Sequence, residues 1–263
     1  MTFSEQTLYA LTKPEKYKEI IKLKTGRFVL FAIVISLVLG IITFVIPTAT
    51  EISKFGGLEN LFDKRMGEVS CSDGKLSVAH DVDLTLESTY ILFGDTTHIL
   101  IDTDYSIIPD QLLDKEGFYW AIGKEYVRTA YVFNHGIYND TVYYMNLPDG
   151  LNNQMLKDAI PGIYIGFFIM LVVLSLGYFI KYAFFALILS LMVNSINKQL
   201  NFGLSNGQVF QTCFYGESLG MLISNFNTAA GFLDPLIVSI ITIFISMHFI
   251  TKAVVFLNPR NQI

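Results

Sequence analysis

The chain has 263 residues, of which 52% are hydrophobic and only 16% charged, with a net charge of −5. Charge falls well below the roughly 25% of an ordinary soluble domain and clusters between long apolar runs, which excludes a simple soluble enzyme, a disordered tail and a fibrous repeat. Two cysteines, Cys71 and Cys213, exclude a disulfide framework and a cysteine-only zinc site.

Residues 1–27 carry six Lys/Arg against Glu5, Glu15 and Glu19, a balance of +3. Within them Phe3, Leu8, Leu11, Tyr17, Ile20 and Ile21 recur near helical spacing. The pattern predicts a basic amphipathic helix from about Thr2 to Lys24 that lies on the inner leaflet or docks on a partner. Phe28 to Ile46 follows, 19 residues without a charge. At ~1.5 Å per residue it matches a hydrocarbon core of ~30 Å and predicts the first transmembrane helix over 28–46. Pro47 is expected to end it at the outer face. A cleaved signal peptide is the other reading, but the run is long, starts late, and Thr48-Ala49-Thr50 is a poor cleavage site.

Residues 50–158 hold 18 Asp/Glu against 8 Lys/Arg, a balance of −10. They are long enough for one modest core. Leu76, Val78, Val82, Leu84 and Leu86 alternate with polar residues, predicting one half-buried strand from Leu76 to Glu87. Tyr90 to Phe93, His98 to Ile101, Phe118 to Ala121, Tyr126 to Phe133 and Val142 to Met145 add β-rich runs. Gly94-Asp95, Asn134-His135-Gly136 and Asn139-Asp140 supply turn chemistry. With helices expected at Leu58–Met66 and Leu151–Ala159, the reading is an α+β domain on a mainly antiparallel sheet.

Pro161 through Val193 is apolar apart from Lys181. As one straight helix it would reach ~50 Å, so it either crosses once and continues as a cytoplasmic-side helix near 182–200, or breaks near Lys181 and turns back. Residues 159–263 balance at +2, from Lys181, Lys198, Lys252 and Arg260 against Glu217 and Asp234. A basic start, an acidic middle and a basic end read as inside, outside, inside. The fold class is therefore a membrane α-helical bundle of four crossings, five being the alternative count, with an inserted extracytoplasmic domain. The third crossing falls at about Val209 to Ala230 and the fourth at Pro235 to Phe256. Residues 161–256 complete the bundle and 257–263 form a cytoplasmic tail. The third segment is polar enough that it should be packed among the other helices.

Several short features occur in a recognisable order. Lys13-Pro14 precedes the first span; Gly74-Lys75-Leu76 and Ile99-Leu100-Ile101-Asp102-Thr103 follow it, then Trp120 to Arg128, then a polar bundle beginning near Phe210 and Tyr215. In this order the chain resembles the bacterial membrane-protein family catalogued as domain of unknown function 1189. Some of its members are labelled maltodextrin-utilisation proteins, and its fold is grouped with Yip-type membrane proteins. The chain departs from the family's habit at Asp104-Tyr105, where a small residue is usual. The resemblance implies the architecture above and a bacterial plasma membrane; it implies no catalytic residues.

The candidate chemistry is sparse. Asp81/Asp83 and Asp102/Asp104 would each put two carboxylates on one strand face, where they could bind Ca²⁺, serve as acid and base, or simply face solvent. The Ca²⁺-loop spacing with its distal Glu is missing, so no metal is expected. His80 falls among apolar positions and is expected to be buried and hydrogen-bonded. No nucleophile elbow, phosphate loop or zinc motif occurs, so no enzyme activity, cofactor or catalytic residue is expected. Glu217 is the sharper feature, because an ionisable group in a span has either a partner or a role. Asn225 and Asn227 share its segment, and Asp234-Pro235 reads as the cap that opens the last helix. Gly162-x-x-x-Gly166 and Gly216-x-x-x-Gly220 offer small surfaces for packing within the chain. The functional reading is a non-enzymatic accessory, sensing or scaffold protein. Its expected partners are membrane lipid and another membrane protein such as a transporter, with no nucleic acid. The alternative is a small transporter or channel built around Glu217.

Overall fold

The computed structural model describes residues 1–89, 94–200 and 203–257. The amino-terminal part runs α1 (Phe3–Thr12), a 3-10 turn (Pro14–Lys16), α2 (Tyr17–Ile20), α3 (Thr25–Gly40), a π turn (Ile41–Val45) and α4 (Ile46–Lys54). Next come α5 (Leu58–Asn60) and a second π turn (Leu61–Arg65), then strands β1 (Val69–Ser72), β2 (Lys75–Val78), β3 (Val82–Thr89) and β4 (Gly94–Ile101). After a 3-10 turn (Asp110–Leu112) follow β5 (Gly117–Ile122), β6 (Tyr126–Phe133) and β7 (Gly136–Tyr144). Four helices close the chain: α6 (Asn153–Asp158), α7 (Ile160–Leu200), α8 (Asn206–Ala230) and α9 (Pro235–Leu257). Thr25–Lys54, Ile160–Gln199 and Pro235–Leu257 are long and apolar enough to cross a membrane. Contacts divide the chain into a helical unit, Met1–Thr43 with the residues from Leu171 onward, and a sheet unit, Phe44–Met170.

In the helical unit the amino-terminal segment is not one helix. A capping box starts α1: Glu5 N–H donates to Thr2 Oγ1 at 3.2 Å, and Thr2 N–H to Glu5 Oε2 at 2.6 Å. Lys13 then leaves helical geometry (φ −133°, ψ 74°), as a residue before proline must. Its apolar face is taken up by the chain itself: Ala10 and Tyr17 are fully buried in a core with Phe28, Phe31, Phe214 and Tyr215. The Phe28 and Phe214 rings meet edge-on at 5.3 Å.

Pro47 does not end the first span, contrary to expectation. The π turn shifts the hydrogen-bond register, so Pro47 falls in the first turn of α4, where no backbone donor is needed. The helix runs on until Gly56 and Gly57, whose φ of +74° and +102° turn the chain away. Nor does the second apolar run break at Lys181: α7 is a continuous helix of 41 residues, so 182–200 is its extension. The polar α8 is largely buried, as its composition requires. It meets α9 along Gly216 and Gly220, where an added methyl would strike Ile250 and Ser246 respectively. Gly162 and Gly166 face open space.

The sheet unit has a two-stranded hairpin, β1–β2, and a five-stranded sheet in the order β3-β4-β5-β6-β7. All neighbouring pairs are antiparallel except β4–β5, which is parallel and joined by a crossover through residues 102–116. The expected strand Leu76–Glu87 is two strands in two sheets. A bend at Ala79-His80 separates them, and Leu76 pairs with Cys71 of the hairpin. That bend also leaves His80 exposed, against expectation. The helices expected at Leu58–Met66 and Leu151–Ala159 are present. The run Tyr90–Phe93 and tail residues 258–263 lie outside the described residues.

The two faces of the large sheet are covered differently. Tyr119, Ala121, Ala130 and Val132 pack beneath Ile108 and Leu113 of the crossover. On the other face Val82, Leu84, Ile99, Ile101, Ile122 and Val127 meet Leu58, Leu61, Phe62 and Met66. The strand registers place Phe118, Trp120, Tyr131, Phe133, Tyr138 and Tyr143 on this second face too, beyond the helical cover.

Candidate functional site

Helical spacing sets the polar face of α8. Glu217, Gly220, Met221 and Ser224 fall at i, i+3, i+4 and i+7, so they share one side. That side opens into a cavity of about 440 Å³ bounded by α7 and α9, with Lys181, Ser239, Thr242 and Ser246 also on its wall. Glu217 is only 6% exposed, and its Oε1 is sealed from solvent, with no hydrogen-bond partner among the described residues. Lys181 Nζ lies 5.5 Å from the centre of the Tyr182 ring. Among the described residues no ion pair joins Lys181 to Glu217. A buried carboxylate with an open lone pair, beside hydroxyls in a largely apolar space, can hold a proton or a small cation.

The other two polar residues of α8 have structural partners. Asn225 Nδ2 donates to the Tyr182 hydroxyl at 2.5 Å and to the Met221 carbonyl at 2.8 Å. Asn227 closes the α8–α9 turn, donating to the Leu233 carbonyl and accepting from Leu233 N–H, both at 2.9 Å. Asp234 caps α9 as read from the sequence, its Oδ1 accepting from Leu236 N–H at 2.8 Å.

The acidic candidates of the sheet unit do not form strand-face pairs. Asp102 and Asp104 follow β4 in a turn, and Asp102 Oδ1 accepts the Asp104 N–H at 3.0 Å. Asp102 is thereby a buried turn-former while Asp104 is exposed. Asp83 pairs instead with Lys115 Nζ at 2.6 Å. Although Asp81 is exposed, desolvation raises its pKa from the usual carboxylate value, and the charges of Asp102 and Asp104 add to the shift. Among the described residues no group of three or more His, Cys, Asp or Glu is placed to hold a metal.

Three residues gain importance only in the structure. Lys181 shares the Glu217 cavity, and its sequence signal was its isolation in a long apolar run. His98 is the buried histidine: Nδ1 lies 3.2 Å from Thr85 Oγ1, Nε2 lies 3.1 Å from the Glu116 carbonyl, and the ring stacks on Tyr119. Arg128 is a buried guanidinium that forks onto Asp140 at 2.8 and 2.7 Å, pairs with Asp110 at 2.7 Å and donates to the Ile108 carbonyl at 2.9 Å. These bonds raise its pKa, and they hold the Asp140 carboxyl below its usual value.

Three helices long and apolar enough to cross a membrane, together with a mixed sheet domain, agree with the coarser part of the expected architecture. Neither the curated proteins nor the solved structures contain a match to the chain. Residues 5–254 match the family described as Protein of unknown function (DUF1189), and the chain belongs to that family.

Proposed function

We propose that the chain is a non-enzymatic accessory or sensing protein of a bacterial plasma membrane. In this reading it crosses four times, both termini are cytoplasmic, and the sheet unit stands outside, as the charge balance of residues 1–27, 50–158 and 159–263 favours. The observation that carries the role is the uncovered half of the large sheet. There Trp120, Phe133, Tyr138 and Tyr143 are 45%, 47%, 54% and 55% exposed on one face of an otherwise acidic domain. Clustered exposed aromatics are a mark of protein interfaces. Photocrosslinkers placed at Trp120 and Tyr143 in intact membranes should yield a discrete adduct with another envelope protein, and one at Ser77 should not. Equal adducts from all three positions, or none, would contradict the role.

A second reading, transport, is favoured by one specific observation: Glu217, buried and with its Oε1 lacking a hydrogen-bond partner among the described residues, on the wall of a cavity. It predicts that the charge of Glu217 is indispensable, which a neutral substitution tests directly.

A further inference from the structure

The sheet unit contains a second, larger cavity, of about 720 Å³. One wall is the covered half of the large sheet, represented by Leu84, Ile99 and Val127. The opposite wall comes from α4, α5, the second π turn and the start of α7, including Ile52, Phe62 and Phe167. The lining is almost wholly hydrocarbon: among the described residues the polar side chains on it are Thr48, Glu51 and Tyr144. Glu51 is already paired with Lys54.

This chemistry restricts the occupant. Water needs two to four polar partners to stay in a protein interior, and this wall offers almost none. A peptide segment would bring backbone N–H and C=O groups that could not be paired there. The volume falls within the ~300–1,000 Å³ of small-molecule sites and far exceeds the voids that well-packed cores contain. A flexible hydrocarbon chain is the ligand that fits. The source follows from the helical wall. Thr48 and Glu51 belong to Thr25–Lys54, and Ile163 and Phe167 belong to Ile160–Gln199, both candidate membrane spans.

We infer that the sheet unit binds one acyl chain of a bilayer lipid in this cavity, between the large sheet and the helices α4, α5 and α7. The inference rests on the cavity alone and not on the aromatic half of the sheet, so either can fail without the other.

The test uses the full chain in phosphatidylcholine nanodiscs. In one arm a small fraction of the phosphatidylcholine carries a photoactivatable diazirine at mid-chain; in the other, palmitic acid carries the same group. Labelled peptides are located by mass spectrometry. The lipid probe should label residues around Ile99 and Val127 as well as exposed positions on α7 such as Phe184 and Leu191. Ile99→Trp should reduce the sheet labelling by about tenfold while leaving the α7 labelling unchanged, because added bulk takes the volume that the chain needs. Val127→Phe, a smaller filling change on the neighbouring strand, should act in the same direction. Far-UV circular dichroism identifies the variants that keep their sheet, and only those are scored. Unlabelled sheet peptides in the wild type, labelling by palmitic acid alone, or labelling indifferent to both folded variants would each overturn the inference.

Discussion

Gln6 Nε2 donates to the Tyr215 hydroxyl at 3.0 Å, fastening the first helix to the middle of α8 across most of the chain's length. The same amide nitrogen reaches the Arg27 carbonyl at 3.2 Å, so one side chain ties α1 to the start of the first span and to the bundle centre. Tyr17, whose hydroxyl donates to the Ala10 carbonyl at 2.6 Å, packs edge-on against the Tyr215 ring. Tyr215→Phe removes the acceptor and keeps the ring. It should lower the stability of the purified protein by about 0.5–1.5 kcal/mol, read as a lower thermal midpoint in detergent. An unchanged midpoint would mean that the amino-terminal segment is not held at α8.

The two glycine pairs should behave oppositely. A methyl at Gly216 collides with the Ile250 side chain across the α8–α9 contact, so Gly216→Ala should destabilise the protein by about 1–3 kcal/mol. Gly162 and Gly166 on α7 meet open space, so their alanine substitutions should be neutral or stabilising by up to about 1 kcal/mol, from helix propensity. Thermal unfolding of the variants distinguishes the cases. A destabilising Gly166→Ala would reveal a packing partner on that face.

Much of this was legible in the sequence, and the failures have physical causes. The first span could be read because 19 uncharged residues in water would be costly, and α8 because its polar residues forbid a lipid-facing helix. Its boundary with the sheet unit was less legible. The onset of charge suggested residue 50, whereas Thr48 and Phe167 also line that unit's cavity. Alternation over Leu76–Glu87 was real, but period two continues through the Ala79-His80 bend and cannot say that the strand changes sheets there. The same pattern put the exposed His80 on the apolar face and gave no sign of the buried His98, since burial depends on what covers a face. The parallel β4–β5 pairing is set by the crossover path, which leaves no periodic signal. Glu217 announced itself as a lone carboxylate, but nothing in the sequence says that Lys181 lines the same cavity.

Asp81 offers a pH test. Its folded pKa is raised by desolvation and by the neighbouring Asp102 and Asp104, so the native state holds the proton more tightly than the unfolded chain does. Native stability therefore rises as pH falls through that raised value, and the ionised group is a liability at neutral pH. Asp81→Asn should raise the thermal midpoint at pH 7, and the gain should vanish below the ordinary carboxylate range of about 4. A gain that persists at lower pH would assign the effect to something other than this charge.

Glu217 separates the two functional readings. Glu217→Gln keeps the shape and most of the hydrogen-bonding capacity and removes the charge. If the residue serves only the architecture, a deletion strain should be complemented by Glu217→Gln at wild-type protein levels. Failure of a well-expressed Glu217→Gln protein would favour the proton or cation pathway.

The proposed placement of the sheet unit outside the cell, between the first two crossings, is open to a direct measurement. Cys71 and Cys213 are buried, so neither reports on it. Ser77 and Lys18 are exposed, and a cysteine at each can be offered an impermeant maleimide in intact cells. Ser77→Cys should be modified before lysis and Lys18→Cys only after it. A Ser77→Cys protein that stays unmodified until the membrane is opened, yet reacts fully afterwards, would contradict the account.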